Sequence, residues 1–205
     1  MWERIERDTG QDQLPPPFWA FPWAGGQALA RYLLDEPDCV RGRVVLDLAS
    51  GSGLVAIAAA AAGAASVTPS DTDPLAVAAI TLNAGVNRVR LEPTVGDLLR
   101  APEPGEPGLE EPGPGEPGRN AGAPARADVV LAGDAFYDRD MAGLMLPFLE
   151  RASQAGALVL VGDPGRAYLP RERFAQVTTY DVPVERVIED ADVKPTTVWR
   201  LSDPE

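Results

Sequence analysis

The sequence predicts an α/β fold with a doubly wound, mostly parallel sheet of about seven strands. Three observations predict it: short aliphatic and β-branched runs recur along the chain, segments with helical spacing separate them, and glycine or proline marks the turns. Continuous apolar runs of this kind are typical of strands buried on both faces of a parallel sheet. Strands that alternate with helices indicate an α/β architecture.

The first elements alternate as strand, helix, strand and helix over residues 43–48, 54–63, 65–70 and 74–86. Asp73 precedes the second of these helices as a predicted N-cap, and the proline that follows suits the first helical position because its missing N–H would be unpaired there anyway. The pattern therefore predicts the start of a parallel sheet.

Further strands are predicted at residues 91–96, 128–133 and 157–162, with a helix over 139–153. Two final strands, 176–182 and 196–201, are joined by an acidic loop and are expected to add an antiparallel element. Before the first strand, residues 26–34 have the apolar spacing of an amphipathic helix.

The 205 residues, 45% of them apolar, are expected to form one domain, 1–205, with an aromatic and helical N-terminal segment at 15–40. Residues 101–127 interrupt it with a run of Pro, Gly and Glu. This insertion has almost no bulky apolar side chains to offset the entropy of ordering, so we expect it to be disordered.

Charge and composition narrow the chemistry. The net charge of −13 is unfavourable for a nucleic-acid partner and favours a basic protein or a cationic small molecule. The absence of histidine excludes Ser-His and Cys-His catalysis, and no metal site is expected. The single Cys39, the lack of a signal or transit segment and the lack of a long apolar run predict a cytoplasmic protein without a membrane span.

A glycine-rich loop follows the first predicted strand. Gly51 and Gly53 allow the backbone to approach a ligand at the start of the next helix, and Asp71 ends the second strand, where it could bind ribose hydroxyls. This spacing also suits NAD. Asp47, just before the glycines, would repel a pyrophosphate but tolerate a cationic cofactor, and Asp97 after the third strand lies within reach of an adenine amino group.

Four segments carry a more specific resemblance, at residues 16–34, 133–138, 162–166 and 196–199. Together with the glycine loop, they resemble the electron-transfer-flavoprotein beta-subunit lysine methyltransferases and their bacterial relatives, from about residue 15 to 201. The resemblance implies a Rossmann-like class I methyltransferase fold, S-adenosylmethionine as donor and a lysine-presenting protein as acceptor, with the flavoprotein beta subunit as one candidate.

The resemblance also assigns residues. It implies an acceptor-side motif from Asp134 to Tyr137, and a set of donor-side residues consisting of Trp23, Asp47, Gly51, Gly53, Asp71 and Asp97. Asp134 directly follows the fourth strand, so we expect it to orient the acceptor amine. Tyr137, and Phe136 beside it, are candidates for an aromatic wall that favours a cationic lysine.

Further expectations concern the aromatic residues of the N-terminal segment, the turn after the fifth strand and the glycine-rich loop. Trp19 and Phe21 are expected to pack without contacting a ligand, whereas Trp23 is expected to act as a lid. Asp163 and Arg166 either pair with each other or face a protein substrate. Ala49 stands where the family usually has glycine, which the loop accepts if φ is negative there.

Three other functions remain open from the residues. The same fold serves small-molecule N-methyltransferases, the glycine loop also suits an NAD-binding oxidoreductase, and a donor-binding domain without catalysis would retain the same motifs.

Overall fold

The computed structural model describes residues 17–100, 127–189 and 191–202. The strands are β1 (Val44–Leu48), β2 (Ser66–Asp71), β3 (Thr94–Val95), β4 (Val129–Gly133), β5 (Leu158–Asp163), β6 (Phe174–Pro183) and β7 (Val193–Leu201). The helices are α1 (Ala24–Asp35), α2 (Leu54–Ala61), α3 (Pro74–Asn87), α4 (Arg139–Gln154) and α5 (Arg186–Glu189). The predicted fold class is confirmed.

The seven strands form one sheet in the order β3-β2-β1-β4-β5-β7-β6. Strands β1 to β5 are parallel to one another, whereas β7 runs antiparallel to both β5 and β6. The predicted antiparallel element at the end of the chain is therefore confirmed. The direction of winding changes between β1 and β4, and ligands of such sheets bind outside the carboxyl ends of the strands at this point.

Alternate residues of the central strands supply the two cores of the protein. Leu131 of β4 faces one core, with α1 and α2, while its neighbour Val130 faces the other, with α4. Leu29 and Leu33 are the largest side chains that α1 adds to the first core, and both are fully buried. The period of two along each strand thus explains why these runs are apolar without interruption.

The predicted helix starts agree with the structure. The Asp73 carboxylate accepts a hydrogen bond from the Leu75 backbone N–H at 2.8 Å, which confirms the predicted cap of α3. Asp138 caps α4 in the same way, accepting from Asp140 and Met141 at 3.0 Å each. These caps fix where the two helices leave the loops at the edge of the sheet.

Two predicted elements differ. Strand β3 has only two residues because Pro93 directly precedes it and offers no N–H to the ladder. The acidic loop between the last two strands contains the single turn α5. The insertion 101–127 lies outside the described residues apart from Ala127. Among the described residues, no helix has both the length and the apolarity needed to cross a bilayer.

The start of α1 meets the ends of β4 and β5 at backbone distance. A Cβ on Gly162 would collide with the Gly25 carbonyl and lie 2.9 Å from the Cβ of Leu29. A Cβ on Gly133 would lie 2.8 Å from the Cα of Gly26. Glycine is needed at these positions because helix and sheet meet without room for a side chain.

This contact predicts a large cost for Gly162→Ala. We expect the free energy of unfolding to fall by about 3 kcal/mol, since backbone and not a flexible side chain must move. The measurement is urea denaturation followed by circular dichroism. The matched control is Gly143→Ala in α4, where nothing lies within 4 Å of the added methyl group and we expect a gain of about 1 kcal/mol. Equal stabilities for the two variants would contradict the packing described here.

Candidate active site

A cavity of about 560 Å³, called the main cavity below, opens at the carboxyl ends of β1, β2 and β4. Such a volume falls within the range of about 300–1,000 Å³ that is usual for cofactor and substrate sites. Of the eight predicted site residues, seven line it: Trp23, Asp47, Gly51, Asp71, Asp97, Asp134 and Tyr137. The donor-side and acceptor-side residues thus share one cavity.

Gly53 is the exception. It does not line the main cavity, and a Cβ at this position would lie 3.1 Å from the Ile80 side chain. Its φ of +81° places it in the left-handed region that favours glycine, so it serves the turn into α2 and the packing on α3. The assignment of Gly53 to the cofactor therefore stays a prediction, since this residue lies beside the main cavity and does not line it.

The loop that contains Gly51 and Gly53 has several residues in the left-handed backbone region. Ala49 has a φ of +49° and Gly51 a φ of +55°. The condition of a negative φ at Ala49 is therefore not met, and an L-residue in this region costs about 1–2 kcal/mol. The loop keeps this conformation because neighbouring side chains bind its backbone.

Two carboxylates bind the loop, the buried Asp47 and the half-buried Asp71. Asp47 accepts hydrogen bonds from the Ser50 hydroxyl at 2.5 Å and from the Ala56 backbone N–H at 3.1 Å, both through Oδ2. Asp71 accepts from the Gly51 N–H at 2.9 Å. Burial raises the pKa of Asp47 to about 7, although its two hydrogen bonds act in the opposite direction.

Further contacts complete the donor side. The Asn83 amide donates to the Ser52 carbonyl at 2.8 Å, which ties α3 to the glycine loop. Asp97 accepts from the Leu99 N–H at 3.2 Å and pairs with Arg100 at 3.1 Å while it lines the main cavity. Sequence reasoning missed Asn83, because nothing local marks a side chain that binds a loop 31 residues earlier.

Aromatic side chains close one side of the main cavity. The Trp23 indole N–H donates to the Phe18 carbonyl at 2.8 Å, and the Phe18 ring lies 5.1 Å from the ring of Tyr137. Trp19 and Phe21 also line the cavity, although sequence reasoning expected them only to pack. Partial burial raises the pKa of the Tyr137 hydroxyl. Phe136 is fully buried and packs on Phe174, so it is not part of this wall.

Asp134 holds three segments together. Its Oδ2 accepts from the Gly25 N–H at 2.7 Å, its Oδ1 from Arg166 Nε at 2.5 Å, and its own N–H donates to the Gly162 carbonyl at 2.8 Å. We call these four residues the Asp134 junction. The φ of Asp134 is +60°, an uncommon conformation that tends to occur at functional sites.

Arg166 extends the junction toward the last hairpin. Its second nitrogen pairs with Glu189 at 2.8 Å, and Glu189 also pairs with Lys194 at 2.5 Å. Burial would lower the pKa of Arg166, but the hydrogen bond and charge of Asp134 outweigh burial and raise it. The Asp163 and Arg166 side chains do not pair with each other, because Asp163 instead accepts from the backbone N–H groups of Gly165 and Arg166. The alternative, that these residues face a protein substrate, stays a prediction.

The main cavity is strongly acidic. The aspartates that line it are Asp47, Asp71, Asp73, Asp97, Asp134, Asp138 and Asp140. The arginines in its lining are Arg100 and Arg166, and each is already paired with an aspartate. Within the described residues, no cluster of acidic or cysteine side chains has the arrangement of a metal site. The cavity therefore favours a cationic ligand over a phosphate.

The chain is similar in sequence to lysine methyltransferases that share one name. The electron transfer flavoprotein beta subunit lysine methyltransferase of Rattus norvegicus is 35% identical over 203 residues, which cover 97% of this chain and 70% of the relative. The Homo sapiens protein of the same name is 36% identical over 204 residues, covering 97% of this chain and 68% of the relative.

The chain belongs to the electron transfer flavoprotein beta subunit lysine methyltransferase family. The model of a second family, the ribosomal protein L11 methyltransferase (PrmA), matches residues 28–104. This range begins within α1 and includes the glycine loop, Asp71 and Asp97. The family resemblance predicted from the sequence is confirmed.

A solved structure supports the fold. Magnesium protoporphyrin IX methyltransferase (ChlM) from Synechocystis, crystallised with bound SAM, superposes with a TM-score of 0.58 at 14% identity. The match covers 98% of this chain and 91% of that protein. The class I methyltransferase fold is thus shared by proteins of very different sequence.

The raised pKa of Asp47 predicts a pH-dependent stability. Between about pH 4 and pH 7 the folded protein holds a proton that the unfolded chain releases, so this group's contribution to the free energy of unfolding falls as pH rises through that window. Asp47→Asn keeps an acceptor for Ser50 and Ala56 but removes the titration. We expect its stability relative to wild type to increase between pH 5 and pH 8, by on the order of 2 kcal/mol.

Urea denaturation of both proteins at the two pH values measures this difference. Asp38→Asn is the matched control, because the Asp38 side chain is 88% exposed. A relative stability of Asp47→Asn that stays constant with pH, or one that changes equally in Asp38→Asn, would contradict the assignment to Asp47.

Proposed function

We propose that this protein transfers a methyl group from S-adenosylmethionine to the side-chain amine of a lysine in a basic protein. The electron transfer flavoprotein beta subunit is the first acceptor to test, because it is named in the description of the relatives. The observation that carries the proposal is the main cavity, where a glycine loop with Asp71 and Asp97 faces Asp134, Tyr137 and the aromatic wall.

The donor side fits the chemistry of S-adenosylmethionine, which supplies an activated methyl group on a sulfonium when bound. Asp71 accepts one hydrogen bond at each carboxylate oxygen, from Gly51 and Asp73, and each oxygen has a second acceptor site for a ribose hydroxyl. Asp97 is placed for the adenine end, and Asp47 with the glycine loop for the charged amino-acid end. Trp23 would lie over the bound S-adenosylmethionine.

The acceptor side fits a lysine. An ammonium group, with an ordinary pKa of about 10.4, must lose a proton before its nitrogen attacks the methyl carbon, so the protein has to admit a cation and then orient a neutral amine. Asp134 keeps acceptor capacity beyond its bonds to Gly25 and Arg166. The rings of Phe18 and Tyr137 offer π faces to the cation beside it.

The charge of the main cavity separates this proposal from the NAD alternative. A dinucleotide would bring its pyrophosphate to a loop that carries Asp47 and Asp71, with both lining arginines already paired. A sulfonium donor and an ammonium acceptor both gain from the same field. We therefore expect S-adenosylhomocysteine, but not NAD, to bind in titration calorimetry.

Two asparagine variants separate donor binding from transfer. Asp134→Asn keeps an oxygen for the Gly25 N–H but removes the negative charge, so we expect kcat to fall about a hundredfold while the Kd for S-adenosylhomocysteine stays within about threefold. Asp71→Asn is the matched comparison, in which we expect donor binding to be the quantity that changes. Its Kd for S-adenosylhomocysteine should rise about tenfold. Calorimetry and a radiolabelled methyl assay measure the two quantities. Full turnover by Asp134→Asn would remove Asp134 from the mechanism.

The acceptor is tested with recombinant electron transfer flavoprotein beta subunit, labelled donor and intact-mass spectrometry. We expect mass increases in steps of one methyl group that map to lysine after proteolysis. The Asp134→Asn variant is the control for contaminating activity. An unmodified beta subunit, together with labelling of free amines in a small-molecule extract, would favour the small-molecule alternative and overturn this acceptor.

A further inference from the structure

A smaller cavity of about 270 Å³, called the second cavity below, adjoins the main cavity. Phe21 and Trp23 line both, so these two side chains form the wall between them. The other residues that line the second cavity are Pro22 before α1, Gln27 in its first turn, and Pro183, Val184, Glu185 and Glu189 from the end of β6 to the end of α5. Its size suits one side chain, not a cofactor.

The walls of the second cavity are held by hydrogen bonds. The Gln27 side-chain amide donates to the Pro22 carbonyl at 2.6 Å and, more weakly, to the Pro183 carbonyl at 3.5 Å, so it links the two segments that form the opening. The Val184 N–H donates to the Asp192 carbonyl at 3.0 Å. The rings of Phe21 and Trp23 meet edge to face at 6.0 Å. The second cavity is therefore built into the fold.

The two glutamates in its lining differ. Glu189 is 6% exposed and is neutralised by Arg166 and Lys194. Glu185 is exposed, and none of the ion pairs among the described residues includes it. No arginine or lysine lines the second cavity. Its unbalanced charge is therefore negative, which is unfavourable for an anion.

This combination fits a long basic side chain. The proline and valine side chains suit an aliphatic stem, the aromatic rings offer π faces, and the Glu185 carboxylate supplies a charge partner at the opening. The net charge of −13 attracts basic surfaces to the protein as a whole. An apolar side chain would gain from the walls alone and would not use Glu185.

Resting on the proposed function, we propose that the second cavity binds a lysine or arginine side chain of the protein acceptor, next to the lysine that is methylated. The wall of Phe21 and Trp23 then separates two neighbouring basic side chains of the acceptor, one in each cavity. The acceptor is selected by a basic residue beside the target, in addition to the target itself.

The test compares Glu185→Gln and Glu185→Lys with wild type, using recombinant electron transfer flavoprotein beta subunit as the probe. We expect the KM for this protein to rise about fivefold in Glu185→Gln and further in Glu185→Lys, with kcat and the Kd for S-adenosylhomocysteine within about twofold of wild type. Glu92→Gln is the matched control, because Glu92 is exposed near the opposite edge of the sheet and lines neither cavity.

A double-mutant cycle locates the partner side chain. Each lysine or arginine near the methylated position of the beta subunit is replaced by glutamine, and we expect one replacement to raise KM with wild type but have no added effect with Glu185→Gln. Equal KM values for wild type, Glu185→Gln and Glu92→Gln would overturn the second cavity as a docking site while leaving the proposed function intact. A wild-type enzyme inactive on the beta subunit would overturn this acceptor and, with it, the second cavity as its docking site.

Discussion

The site depends on one carboxylate. Through the Asp134 junction, the end of β4 binds the first turn of α1 and the turn after β5, so three segments distant in sequence meet at one side chain. The position is favourable because the N-terminus of α1 presents free N–H groups and a partial positive charge to the carboxylate. This contact helps to fix the aromatic segment that precedes α1 beside the main cavity.

The junction also explains why so little side-chain volume surrounds it. Gly25, Gly133 and Gly162 bring helix and sheet together at backbone distance, and only there can Asp134 reach a helical N–H. Arg166 then neutralises the buried charge from the other side and is itself held by Glu189. A buried ion pair of this kind is costly to break because either partner alone would remain charged and unpaired.

Local patterns in the sequence were sufficient for most of the fold and much of the site. The runs that form β1 and β4 are apolar because their alternate side chains are buried in two cores. The N-cap at Asp73 is a local signal that the structure confirms. Asp71 and Asp134 were predictable because strand ends at one edge of a parallel sheet lie close together. Their roles in binding and transfer stay predictions.

The features that the sequence did not reveal depend on contacts between residues far apart in the chain. Arg166 pairs with residues 32 and 23 positions away, which no local spacing encodes. Ala49 keeps a left-handed φ because Asp47 and Asp71 bind the loop around it, and Gly53 faces Ile80 instead of the cavity because α3 packs there. The second cavity joins segments more than 150 residues apart.

The burial of Asp47 has a consequence for how this molecule exchanges protons. Imidazole is the group that usually takes up and releases protons near neutrality, and this chain has none. A carboxyl group under the glycine loop titrates in that range instead. Protonation near physiological pH is thereby coupled to the backbone that surrounds the donor side, and the carbonyl stretching band of the Asp47 carboxylic acid in the infrared would follow it.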